Sequence, residues 1–148
     1  EHIMKHRLIV LIVSLSALLF SVGSVLAHCE IPCGIYDDEM RMSLIMEHAG
    51  TIEKSMTQIN ELEKGGNANQ LVRWVTNKET HANEVQHIVT QYFLTQRIKF
   101  DTPDYEKKLA ALHEMLVYAM KCKQTTDVTN VEMLRQSAEK FHKLYFHD

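Results

Sequence analysis

The sequence predicts an all-α fold, an antiparallel up-down bundle of four helices. Three observations carry this. The 148 residues include only 5 Gly and 2 Pro, too few for the many turns of an all-β sandwich or barrel. The body is rich in Leu, Lys and Glu and holds 8 Met, all residues that favour helices. Apolar residues recur at spacings of three and four in four successive stretches, the period of an amphipathic helix.

The first stretch predicts a helix from Asp38 to Lys64. Asp37 and Asp38 suit its N-terminal cap and dipole, and Ile45, Ala49, Ile52, Met56, Ile59 and Leu62 form its stripe. Gly65-Gly66 ends it with a residue type that tolerates the left-handed conformation. The second helix is predicted from Ala68 to Ile98, with Leu71, Val75, Ala82, Val85, Val89 and Tyr92 in near-heptad register, interrupted at Lys78. Asp101-Thr102-Pro103 stops it and caps the next. The third, from Asp104 to Gln124, carries Tyr105, Leu109, Leu112, Leu116 and Ala119. Thr125-Thr126-Asp127 is a polar break, and the fourth helix, from Val128 to Phe146, carries Val131, Leu134, Ala138, Phe141 and Tyr145. Helices of this length joined by short loops form antiparallel neighbours.

The first 27 residues read as a leader segment. Met4 is the natural start, with Glu1-His2-Ile3 upstream of it. Lys5, His6 and Arg7 form a basic region before the apolar run Leu8–Phe20, and Val25 and Ala27 stand at the −3 and −1 positions of a cleavage site. Cleavage after Ala27 leaves His28 as the new N-terminus and implies export to a periplasmic, extracellular or organellar-lumen compartment. An uncleaved, membrane-anchored form is the alternative, because Leu8–Ala27 is 20 residues long, enough to span a bilayer. The net charge is −3, and it becomes −4 once Glu1, Lys5 and Arg7 leave with the leader. That balance argues against a nucleic-acid surface, and no membrane association is expected after leader removal. No G-x-G-x-x-G, P-loop, H-E-x-x-H or G-x-S-x-G motif occurs.

Chemistry concentrates before the first helix, in His28-Cys29-Glu30-Ile31-Pro32-Cys33-Gly34-Ile35-Tyr36-Asp37. Pro32 and Gly34 bend the chain around Cys33. After cleavage, His28 offers an α-amine and an imidazole, both neutral at mild cost, and Cys29 and Cys33 offer two thiolates. Amine, amide nitrogen and two thiolates can form a planar set with the imidazole axial, which suits nickel(II) or copper(II). The competing reading is a Cys29–Cys33 disulfide in an oxidising compartment. Two functions from other classes follow: an exported copper or nickel carrier, and a structural bundle closed by that disulfide.

This run resembles the metal hook of the nickel superoxide dismutases, H-C-x-x-P-C-G-x-Y-D, at every fixed position. The likeness continues more loosely along the body, in Lys78-Glu79 before His81-Ala82 and in Tyr92-Phe93. The resemblance implies a four-helix bundle assembled as a homohexamer, a nickel ion as cofactor, and superoxide as substrate. It implies that His28, Cys29 and Cys33 hold the metal, that Pro32 and Gly34 shape the hook, and that Tyr36, with Tyr92 nearby, stands at the open face and admits superoxide. It further implies dismutation by cycling between Ni(III) and Ni(II), one superoxide leaving as dioxygen and a second taking two protons to leave as peroxide. A Glu that supports the axial imidazole in better-known members falls at Leu44, an Arg at His81 and a Lys at Leu94, so Glu47 and His81 are the candidate partners of that imidazole. Any local attraction for the anion falls to Lys78, Arg97 or Lys99, which otherwise read as solvated surface charges. His48, His87, His113, His142 and His147 read as surface or packing residues, Cys122 as a free thiol, Trp74 as a core or interface anchor, and Met40, Met42, Met46 and Met56 as packing.

Overall fold

The computed structural model describes residues 4–7 and 34–146. Residues 28–33, and with them His28, Cys29, Pro32 and Cys33, lie outside the described residues. The chain divides into a unit of residues 1–35 and a unit of residues 36–148. In the first, residues 4–7 form an exposed helical turn, and Gly34 adopts φ +78°, a left-handed turn that a side chain would strain.

In the second unit, all regular structure among the described residues is helical. Helix α1 spans Asp38–Leu62. Helix α2 spans Ala68–His87 and runs on without a break into a π-helical stretch, Ile88–Arg97. Helices α3 and α4 span Tyr105–Gln124 and Thr129–Phe146. Helix α1 packs on α2, α2 on α3, α3 on α4, and α4 closes back on α1. Short connections between adjacent neighbours make the bundle up-down and antiparallel, as the periodicity predicts. Among the described residues, no helix is long and apolar enough to cross a membrane.

The caps follow local chemistry. Asp37 Oδ1 accepts from Met40 N at 2.9 Å, satisfying one of the free amides that open a helix. Asp127 does the same for Thr129 N at 3.0 Å. At the end of α1, Gly66 N bonds back to Leu62 O at 2.7 Å. A Cβ on Gly66 would meet Leu62 Cδ2 at 2.4 Å and Leu62 Cα at 2.8 Å, so this turn needs Gly where backbone approaches backbone. Asp104 sits at φ 52° before α3 and makes no side-chain cap bond.

The core is the expected set of stripes with one correction. Ile45, Ala49, Ile52, Met56, Ala82, Val85, Val89, Leu112, Ala119, Val131, Leu134, Ala138 and Phe141 are buried. In the first half of α2, however, the predicted stripe does not hold: Val75 is 39% exposed, whereas Lys78, expected on the surface, is 3% exposed. The Lys78 ammonium donates to the carbonyls of Cys122 and Lys123, at 2.7 and 2.5 Å, and pairs with Glu79 at 3.1 Å. It therefore caps the end of α3, where unpaired carbonyls and the negative end of the helix dipole favour a cation. A buried ammonium with three acceptors is satisfied, which is why the long side chain can lie inside.

Candidate functional site

Tyr36 precedes α1 and is 40% exposed. Tyr92 meets its ring edge-on, with centroids 5.9 Å apart. The two tyrosines singled out in the sequence are thus brought together, fifty-six positions apart in the chain. Tyr92 is 3% exposed and leads into an aromatic core, edge-on to Phe93 at 5.0 Å, with Phe93 edge-on to Phe141 and Tyr145.

A single carboxylate organises this end of the bundle. Asp38, in the first turn of α1, accepts from the Tyr92 hydroxyl and from the Tyr145 hydroxyl at 2.8 Å. Arg97 adds a two-pronged pair, Nε to Oδ1 at 2.9 Å and Nη2 to Oδ2 at 2.8 Å, the fork geometry that carboxylates favour. Donors from α2's π-helical extension and from α4 therefore converge on the start of α1. Burial alone would raise the Asp38 carboxyl, but hydrogen bonds from Arg97, Tyr92 and Tyr145 outweigh it and hold the group below the usual carboxylate range. Burial and the adjoining Asp38 charge push the Tyr145 phenol up to about 12 and the Tyr92 phenol higher still. Neither gives up its proton near neutral pH.

The π-helical stretch places Arg97. Its carbonyls accept from residues five positions on: Thr95 Oγ1 bonds Thr90 O at 2.6 Å, Gln96 Nε2 bonds Gln91 O at 2.8 Å, and Ile98 N bonds Phe93 O at 2.9 Å. Residues five apart are stacked by this winding, so Tyr92 and Arg97 reach the same carboxylate. Arg97 also lies over the Tyr36 ring, its guanidinium carbon 4.4 Å from the centroid. The Arg41 guanidinium carbon lies over the Tyr92 ring, 5.1 Å from its centroid.

A model of the nickel-containing superoxide dismutases matches residues 23–148. The chain belongs to this family. No curated protein and no solved structure matches. The chain is accordingly a superoxide dismutase, an oxidoreductase that uses nickel, with superoxide as its substrate.

The sequence did not single out Asp38 as more than a capping residue, nor Tyr145 as more than core. Both lie at helix ends, and their meeting depends on the closing of α4 onto α1. Arg97 reads as a surface charge in the sequence, but it is half-buried and paired. Lys78 is withdrawn from any role in attracting superoxide, because its ammonium is spent on the α3 carbonyls. Lys99 flanks the loop after Arg97, its backbone amide held by Thr102 Oγ1 at 3.0 Å and its carbonyl by Thr102 N at 3.0 Å.

Of the two candidate imidazole partners, Glu47 is exposed, while His81 on α2 faces His48 on α1, with Nδ1 atoms 2.8 Å apart. One ring must donate and the other accept, so the pair holds at most one proton on the shared line. Burial and the His81 ring lower the His48 pKa, against a smaller opposing pull from Glu84 and Glu47. Sequence spacing within one helix cannot find such a pair. The available signal is that His48 precedes Ala49 and His81 precedes Ala82, each beside a fully buried residue of its stripe. Among the described residues, no group of three or more His, Cys, Asp or Glu is placed to hold a metal. Cys122 is a free, buried thiol, and burial pushes its pKa up to about 11, which makes it a poor ligand at neutral pH.

Proposed function

We propose that this dismutase holds its nickel in the N-terminal hook, through the His28 α-amine and imidazole, the Cys29 thiolate and amide nitrogen, and the Cys33 thiolate. The observation that carries the reading is that the family match spans a run in which every fixed hook position is present. The donor set fits the metal: two thiolates and two nitrogens suit a planar ion, and anionic sulfur and amide donors favour its higher oxidation state. Bound there, nickel supplies a couple between its trivalent and divalent states, by which one superoxide is oxidised to dioxygen and a second, with two protons, is reduced to hydrogen peroxide.

The chain's own residues do the rest. Pro32 and Gly34 set the bend. Removal of the leader after Ala27 frees the His28 α-amine, which couples metal binding to export. Tyr36 and Tyr92 guard the approach with different capacities. The Tyr92 hydroxyl is committed to Asp38, so it holds its proton and its place. The Tyr36 hydroxyl makes no hydrogen bond to another described residue and is the one able to donate to a small anion. Glu47, and His81 with its partner His48, are the candidates to support the His28 imidazole. A homohexamer is the proposed assembly.

The test is a native mass spectrum of the full chain expressed with its leader, combined with rapid superoxide decay measured per nickel. A chain beginning at His28 with one nickel per subunit and catalytic decay is expected. A leader-retaining precursor with full dismutase activity would falsify the ligand set, because its His28 has no α-amine.

A further inference from the structure

Tyr36 stands ahead of α1 with much of its ring in solvent, so packing alone fixes its direction poorly. Two contacts do that work: the edge of Tyr92 and the face of the Arg97 guanidinium at 4.4 Å. Arg97 is itself immobilised. Its fork grips both oxygens of Asp38 at 2.9 and 2.8 Å, and Asp38 is held in turn by Tyr145 at 2.8 Å and by Tyr92. The chain of fixation runs from one buried and one half-buried phenol, through one carboxylate, to a planar cation, and ends on the Tyr36 ring.

We infer that Arg97 is a positioning residue of the dismutase: clamped by Asp38, its guanidinium plane holds the Tyr36 ring and so sets where the Tyr36 hydroxyl stands. The inference rests on the proposed role of Tyr36. Arg97 does not act as a free cation that draws in superoxide, since its charge is matched by Asp38 at contact distance. It acts through shape. A lysine at this position would keep the charge and lose both the fork and the flat face, so the two substitutions Arg97→Lys and Arg97→Gln are expected to behave alike.

The experiment uses the full, matured chain in two parts. Tyrosine-labelled NMR of the protein before nickel loading reads the Tyr36 ring directly, against Tyr118 as an internal reference. Its resonances are expected to move toward the averaged positions of a freely rotating ring in Arg97→Gln and Arg97→Lys. Unchanged Tyr36 resonances in folded Arg97→Lys overturn the inference. Superoxide decay per nickel is then measured across ionic strengths for wild type, both Arg97 variants, Tyr36→Leu and the double variants. Each Arg97 variant is expected to lose about three- to ten-fold in kcat/KM, the range of a cation–ring contact. The loss keeps the same ratio at all salt concentrations and falls below about two-fold when Tyr36 is already Leu, since coupled residues are non-additive. An equal loss in both backgrounds, or a loss that fades with salt, overturns it. A loosened ring with unchanged kinetics leaves the clamp standing and instead refutes the proposed role of Tyr36.

Discussion

Of the polar junctions that tie helix α1 to its neighbours, two are built on opposite terms. The Asp38 junction sets one carboxylate against one guanidinium and two phenols, so its charge is balanced and each strong acceptor is used. The His48–His81 junction, farther along α1, joins two imidazole rings through a single hydrogen bond. The first is held over a broad pH range, because the carboxyl is lowered and the phenols are raised. The second depends on one of the two Nδ1 atoms staying unprotonated to accept, and burial with the neighbouring ring already lowers the His48 pKa. One fold thus keeps its tyrosines fixed with a pH-tolerant device and joins the same two helices elsewhere with a pH-sensitive one.

The largest effect that would break this comparison is removal of the carboxylate charge. Asp38→Asn leaves Arg97 half-buried without its partner. The substitution is expected to destabilise the chain by about 2–3 kcal/mol, at the lower end for a broken buried pair because Arg97 keeps some solvent, read by urea denaturation at neutral pH. The same variant should bring the Tyr145 phenol down from about 12 toward the ordinary tyrosine value of about 10, read by ultraviolet titration. A Tyr145 that still ionises near its wild-type pH would show that burial, and not Asp38, sets it.

Lys78 provides the next test, at the far end of α3 from the tyrosines. Lys78→Met keeps the buried volume and leaves the carbonyls of Cys122 and Lys123 without their donor. A loss of about 1–2 kcal/mol is expected, with superoxide decay per nickel unchanged at low salt. A drop in that rate without a change in metal content would return Lys78 to the role of attracting the anion.

The imidazole pair should show itself in pH. Burial and His81 lower the His48 pKa in the folded chain, so the unfolded chain takes its proton first. The stability of the pair is whole above the unfolded value of about 6.5 and is lost as pH falls through the lower, folded value. Denaturation at pH 7 and pH 5 should differ by about 1 kcal/mol on this account, the size of one neutral hydrogen bond, and His48→Gln should flatten that slope. A slope unchanged in His48→Gln would assign the acid sensitivity to other groups.

The smallest effect concerns thiols. With nickel removed under reducing conditions, the folded chain should offer two thiols, Cys29 and Cys33, to an alkylating reagent. Cys122, buried and raised to about 11, should react only on unfolding. Three fast thiols would show that the Cys122 region opens.

The bundle was legible because its signals are local and repeated. Stripes at helical period, Asp37 and Asp127 as caps, and Gly65-Gly66 as a stop all act within a few residues of themselves. The pairing of Tyr36 with Tyr92 was legible only through the hook motif and the tyrosines that accompany it in the family. What sequence did not yield are contacts fixed by closure of the ring of helices: Tyr145 on Asp38, His81 on His48, Lys78 on the α3 carbonyls. Tyr145 read as core, His48 as surface or packing and Lys78 as a surface charge, and each is held by a partner more than thirty positions away. The π-helical winding of Ile88–Arg97 was also hidden, because periodicity alone read the stretch as ordinary helix.

That winding makes the clamp dependent on residue count. In an α-helix each residue turns the chain by about 100°, so Tyr92 and Arg97, five apart, would point about 140° away from each other. Only the wider coil lets both meet one carboxylate. Deleting a single residue between them would leave them four apart, about 40° in an α-helix and still on one face, but inserting one would leave them six apart, about 120° from each other in the narrower form, and swing Arg97 out of reach of Asp38. The spacing of this stretch is therefore constrained more tightly than its composition: substitutions at Thr95 or Gln96 can be absorbed, but an added residue there would disconnect the tyrosines from the arginine that steadies them.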